Sequence, residues 1–186
     1  MTRVQRPDRR RWLQWLATAA VFFVVYSLAT RVKQLPLVGE AAPDVTLPVA
    51  AGGPSDGPLE VRLSTLEGEV VVLDFWASWC AACRRTSPIL NDLRGEFEAA
   101  DVSFYAINVE PIDRQRVQAA HLSFGTDFPT LHDRAGTAQK RYAVRMLPTV
   151  VVVGRDGMVK WAASGVPSKS DLRKAISGAL NKTGSE

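Results

Sequence analysis

An α/β fold on a mixed central sheet follows from three observations. Three near-continuous apolar runs, Val70–Trp76, Val102–Val109 and Thr149–Val153, read as strands buried on both faces. Segments with apolar residues at helical spacing lie between and after them. Hairpin signals precede the first run and follow the last. Such an order predicts helices on both faces of the sheet and an N-terminal β-hairpin extension.

The elements are justified in chain order. Trp12 to Thr30 carries no charged side chain, and its 19 residues span ~28 Å as a helix, close to the ~30 Å hydrocarbon core. Five arginines precede it, and Trp12, Trp15 and Tyr26 lie near its ends, where amphipathic rings favour the headgroup region. The expectation is one N-terminal transmembrane helix (12–30) behind a basic cytoplasmic tail (1–11), followed by a linker (31–37) and the folded domain (38–186). A cleaved signal peptide competes, because Ser27-Leu28-Ala29 is a small-x-small site, but the apolar run exceeds the usual ~7–15 residues. Arg9-Arg10-Arg11-Trp12-Leu13 fits a twin-arginine pattern only loosely.

Charge distribution excludes a nucleic-acid surface. The chain holds 23 basic and 19 acidic residues, net +4. Residues 1–33 contain seven of the basic residues and one acid, Asp8, which leaves residues 34–186 at −2. The folded part therefore has no basic body for a phosphate backbone.

Within the domain, Val45-Thr46-Leu47 reads as a strand, Ala51 to Pro58 as a dense turn, and Leu59 to Leu63 as the return strand of a hairpin. Val70–Trp76 is the first core strand. A helix is expected from Cys83, with Ile89, Leu90, Leu93 and Phe97 on one stripe and a kink at Pro88. Val102–Val109 is the next strand, Asp113–Phe124 a helix, and Thr137–Tyr142 a shorter one. Thr149–Val153 turns at Arg155-Asp156-Gly157 into an antiparallel partner, Met158–Ala163. The last helix starts at Ser168, with Asp171 in the capping-box position and Leu172, Ala175, Ile176, Ala179 and Leu180 as its buried stripe.

The chemistry concentrates in Trp79-Cys80-Ala81-Ala82-Cys83, which holds the only two cysteines of the chain. Disulfide exchange needs an attacking thiolate, a resolving thiol and access for the partner. Cys80, expected exposed at a helix start, is the nucleophile, because free N–H groups and the helix dipole stabilise its thiolate. Cys83, one turn on and more buried, is the resolving thiol. Arg84 and Arg85 either add positive potential or are solvated helix residues.

A structural disulfide at this spacing closes a loop too short to stabilise much. Zinc needs four ligands, and the two histidines, His121 and His132, show no paired-ligand spacing; no metal is expected. Neither cysteine has a threonine or serine three residues before it, which argues against a thiol peroxidase.

Two further residues belong to this reading. Asp74 sits inside an apolar strand, where a carboxylate is costly unless paired or neutral. Burial raises its pKa, which suits a proton acceptor for Cys83; a hydrogen-bonded, inert Asp at a strand edge is the competing reading. Pro148, in Leu147-Pro148-Thr149, marks a strand start or a special turn, and its isomer is not readable from sequence.

Taken together, these motifs resemble the TlpA/ResA-like membrane-anchored thiol–disulfide oxidoreductases of the thioredoxin superfamily. Ala42-Pro43-Asp44-Val45-Thr46-Leu47 is similar to the family's opening motif, Gly68–Phe75 with Trp76-Ala77-Ser78-Trp79-Cys80-Ala81-Ala82-Cys83 to its active-site signature, and Tyr142-Ala143-Val144 with Leu147-Pro148-Thr149 to the cis-proline segment. The segment between Val109 and Phe128 fits the extra helix of this branch. The resemblance covers nearly all of residues 38–180.

It implies a thioredoxin fold and a protein-disulfide reductase at the bacterial inner membrane, its domain facing the periplasm. Trp79, Leu147 and Pro148 would contact substrate. No cofactor is implied beyond the redox-active Cys80–Cys83 pair. The implied partners are disulfide-containing proteins and a membrane thiol electron donor, and cytochrome c maturation is the commonest family task. A disulfide oxidase or isomerase, or a non-catalytic tethered binding or chaperone module, are the alternatives. The chain departs from the family pattern at Thr86, where several members carry glutamate, at Asp74, where many carry asparagine, and at Ala106, where thioredoxin itself carries lysine.

Overall fold

The computed structural model describes Trp15, Thr18, Ala20, residues 37–53, Gly57 and residues 59–181. The chain divides into two compact units, Met1–Lys33 and Gln34–Glu186. In the first, Trp15, Thr18 and Ala20 are helical. Among the described residues no helix is long and apolar enough to cross a membrane. The predicted 12–30 span lies outside the described residues apart from those three.

The second unit is a seven-stranded mixed sheet in the order β2-β1-β5-β4-β3-β6-β7. Its strands are β1 (Thr46–Ala51), β2 (Glu60–Arg62), β3 (Val70–Trp76), β4 (Val102–Asn108), β5 (Thr130–His132), β6 (Thr149–Val153) and β7 (Val159–Ser164). Helices α1 (Ala81–Glu96), α2 (Arg114–Phe124), α3 (Thr137–Arg141) and α4 (Lys169–Asn181) complete it, with a short 3-10 helix over Leu63–Leu66. β3, β4 and β5 run parallel, while β6 and β7 continue the sheet antiparallel. The predicted hairpin forms as β1 and β2, joined to the body through β5.

Every residue of β3 is buried, as a run without polar alternation requires. Its side chains alternate between two cores. Val70, Val72 and Trp76 face one with α1, α2 and α4, through Leu90, Leu93, Val117, Phe124, Leu172 and Ile176. Val71, Leu73 and Phe75 face the other, with Ala138 of α3 and Tyr142. The helices thus cover both faces, as predicted.

Three sequence expectations are corrected. β1 runs on to Ala51, into the stretch read as turn. β5 is absent from the sequence expectation: it has three residues with polar ends, and its pairing with β1 and β4 supplies what local pattern lacks. α1 begins at Ala81, two residues before Cys83, and continues through Pro88 to Glu96. The earlier start reflects an N-cap made by a cysteine sulfur rather than a usual capping oxygen.

Candidate active site

β3 ends at Trp76, and a three-residue loop, Ala77-Ser78-Trp79, delivers the chain to Cys80 at the head of α1. Cys80 and Cys83 form a disulfide with an S–S distance of 2.05 Å and Cα atoms 5.3 Å apart. The Cys83 N–H donates to Cys80 Sγ at 3.1 Å, and the N–H groups of Cys83 and Arg84 both reach the Cys80 carbonyl. In the reduced form, a sulfur at this cap meets a first-turn helix N–H and the positive end of the helix dipole, which favours its thiolate.

Cys83 is fully buried, as expected. Cys80 is at the helix start, but it is only 5% exposed rather than open to solvent. Its bond to a fully buried partner and its packing in the cluster of Trp76 and Ala77 draw the sulfur inward. Trp79, in contrast, is 73% exposed beside it.

Asp74 is 3% exposed, and strand alternation puts it on the face of β3 that carries Val72 and Trp76, the core that also contains both cysteines. Its neighbours across the sheet are Ala106 on β4 and Val150 on β6, so no cation opposes it there. One carboxylate oxygen, Oδ1, has no hydrogen-bond partner. Burial pushes its pKa up to about 7, and the inert hydrogen-bonded edge position is not what the fold provides.

Leu147–Pro148 is a cis peptide. Thr149 pairs with Phe75 at the start of β6, so Pro148 lies at the same sheet end as Trp76. The segment is tied down on both sides: Thr149 Oγ1 donates to the Met146 carbonyl at 2.7 Å, and the Gly165 N–H donates to the Pro148 carbonyl at 2.8 Å. Leu147 packs against both cores, and Met146 next to it is 56% exposed. The fold therefore gathers Cys80, Cys83, Trp79 and the Leu147–Pro148 segment at one end of the sheet, with Asp74 in the core beneath.

Arg84 is not a purely solvated residue. Its guanidinium lies 5.0 Å from the centre of the Phe124 ring, which in turn packs against Trp76 at 5.1 Å. Thr86 is fully buried and turns its hydroxyl to the Ala82 carbonyl. The histidines serve separate structural contacts, His121 with Thr130 Oγ1 and His132 with the Glu110 carbonyl, both at 2.9 Å. Among the described residues no group of three or more His, Cys, Asp or Glu is placed to hold a metal ion.

Glu110 does not stand out in the sequence as a site residue. It is 8% exposed and accepts hydrogen bonds from Ser78, two residues before Cys80. The available signal was an acid directly after an apolar strand, the same kind of anomaly as Asp74.

Comparison with known proteins agrees with this geometry. The AhpC/TSA family profile matches residues 38–162. The chain is 31% identical over 177 residues to the thiol-disulfide oxidoreductase ResA of Geobacillus thermodenitrificans, covering 95% of this chain and 97% of that one. It is 28% identical to ResA of Oceanobacillus iheyensis, covering 88% and 86% respectively. Among solved structures, a candidate thiol:disulfide interchange protein DsbE from Chlorobium tepidum superposes with a TM-score of 0.68 at 30% identity, over 77% of this chain and 98% of that one. A candidate protein disulfide isomerase from Bacteroides thetaiotaomicron gives 0.68 at 26% identity, over 79% and 92%. A capped dithiol beside a cis-proline, on a sheet shared with these proteins, places the chain in the AhpC/TSA family, among the ResA-like thiol–disulfide oxidoreductases of thioredoxin fold.

Proposed function

We propose that this thiol–disulfide oxidoreductase works as a reductase of protein disulfides outside the cytoplasm, tethered to the bacterial inner membrane by residues 12–30, with cytochrome c maturation as its setting. The observation that carries the reading is the Cys80–Cys83 pair at a helix N-cap over a buried carboxyl whose pKa is about 7. The 19-residue uncharged run behind five arginines supports the tether.

In the reducing direction, the Cys80 thiolate attacks one sulfur of a client disulfide. The Cys80–client bond forms, the client S–S bond breaks, and the first client thiolate leaves and takes a proton. Asp74 accepts the Cys83 proton, and the Cys83 thiolate then attacks Cys80 Sγ. This forms the Cys80–Cys83 disulfide and releases the second client thiolate. Two electrons pass from the protein dithiol to the client, so no cofactor is needed. Trp79, Leu147 and Pro148 contact the client chain. A membrane thiol donor returns the electron pair.

The test is a trap. Cys83→Ser leaves Cys80 joined to its client in a mixed disulfide that survives non-reducing electrophoresis, and no trapped client in cells counts against the reading. Direction is read from the reduction potential: about −270 mV marks a reductant, and about −120 mV an oxidant. Undiminished function in Cys80→Ser protein would leave only a binding or chaperone role.

A further inference from the structure

The loop that carries Cys80 is held by a buried carboxylate outside the dithiol itself. Glu110 follows β4 and is 8% exposed. Its Oε2 accepts the Ser78 N–H at 2.5 Å and Asn108 Nδ2–H at 3.1 Å, while Oε1 accepts the Ser78 hydroxyl at 3.0 Å. Its own N–H donates to Asn108 Oδ1 at 3.1 Å, and His132 on β5 donates to its carbonyl at 2.9 Å. Both carboxylate oxygens act only as acceptors, and every donor is neutral, so the charge has no cation to cancel it.

We propose that Glu110 is a positioning residue that clamps the Ser78–Cys80 loop to the end of β4 and whose fixed negative charge keeps the dithiol on the reducing side. The inference rests on the reductase reading above and supplies a cause for its direction. Two residues of chain span at most about 7 Å, so with the 2.5 Å hydrogen bond and the side chain added the carboxylate and Cys80 Sγ lie within roughly 14 Å of each other. Both are buried. At an effective dielectric of about 20, a negative charge at that distance raises the thiol's pKa by about one unit. A thiolate that is harder to form makes the reduced protein less stable and so a better electron donor. The remaining charged groups on the elements around the site are Asp74 on β3, Arg84 and Arg85 on α1, Arg145 ahead of Pro148, and the buried Asp133 after β5, whose N–H donates to the Asn108 carbonyl and whose Oδ2 accepts the Gln139 N–H. The partners of the Glu110 carboxylate are Ser78 and Asn108.

The experiment compares full-length wild type, Glu110→Gln and Ser78→Ala, each in a Cys83→Ser background for thiolate absorbance against pH, and each with both cysteines for equilibrium with glutathione. Glu110→Gln is expected to lower the Cys80 pKa by about one unit. It should also shift the glutathione equilibrium toward the protein dithiol by up to tenfold, or about 30 mV, at pH above that pKa. Ser78→Ala keeps the charge and should stay within about a third of a unit of wild type. An unchanged Cys80 pKa in folded Glu110→Gln overturns the proposal, and so does an equal shift in Ser78→Ala, which would assign the effect to loop geometry. If Glu110→Gln does not fold, wild type decides. Coupling is mutual, so the carbon-13 resonance of the Glu110 carboxyl must step at the pH where Cys80 ionises, and a flat resonance overturns the proposal. None of these readouts needs catalytic turnover. A wild type that cannot reduce insulin would sink the reductase reading while leaving the Cys80 shift measurable.

Discussion

Replacing Asp74 by Asn should change how stability depends on pH, and the size follows from burial. The carboxyl rises from an ordinary 3.8 to about 7 because it is taken out of water without a cation. Between those two values the native state holds a proton that the unfolded chain has released. Stability therefore falls as pH rises through this window and levels off above about pH 7. At 1.36 kcal/mol per pH unit the whole drop is about 4 kcal/mol, and because the side chain is 3% exposed, little solvent screening reduces it. Asp74→Asn removes the ionisation and with it the drop. Urea unfolding of the oxidised protein from pH 4 to pH 8, with the disulfide kept intact in both proteins, reads the difference directly. The variant should gain up to about 4 kcal/mol on wild type between the acid and alkaline ends, whatever the constant cost of a buried amide. Parallel pH profiles, agreeing within about 0.5 kcal/mol, would show that the carboxyl is solvated or paired and would refute the reasoning. On the proposed mechanism the same substitution removes the proton acceptor for Cys83, and resolution of the mixed disulfide should slow by about 100-fold or more in stopped-flow measurements.

Four further outcomes follow from packing and backbone. Gly52 has a φ of +67°, and a Cβ there would meet His121 Cε1 at 2.8 Å and the Phe128 carbonyl at 2.9 Å, so Gly52→Ala should cost about 2–3 kcal/mol in urea unfolding. Gly125→Ala, at φ +64° in open space, should cost only about 1 kcal/mol by the same measurement. Leu90→Ala on α1 removes a fully buried side chain from the core that holds the cysteines and should destabilise by about 2–5 kcal/mol. A double-mutant cycle of Arg84→Ala with Phe124→Leu should return a coupling of about 0.5–1 kcal/mol for the guanidinium over the ring.

Much of this architecture is legible along the chain, because its central strands are buried on both faces. Val70–Trp76 and Thr149–Val153 need no tertiary information to be read, and the dithiol and Asp74 stand out against the run that leads to them. Strand β5 is not legible: Thr130-Leu131-His132 is too short to show a period, and only Ala106, Ile107, Asn108 and the β1 edge make it a strand. The Glu110 clamp is hidden for another reason. Ser78 and Glu110 are 32 positions apart, and a hydrogen bond at that separation leaves no local pattern. The burial of Cys80 escapes as well, since a helix start predicts exposure until the packing of Trp76 and Ala77 is known.

The strand that leads to the dithiol is hemmed in on both edges, by β4 and β6, and Cys80 is only 5% exposed. Such a site is fixed in the sheet, and on the proposed reading a client has to come to it. The burden of presentation then falls on the other molecule. On that reading, a disulfide on a protruding loop or an unfolded segment can reach Cys80, while one sealed inside a finished fold cannot. Selectivity of this kind needs no recognition sequence: it sorts clients by how far their own folding has gone.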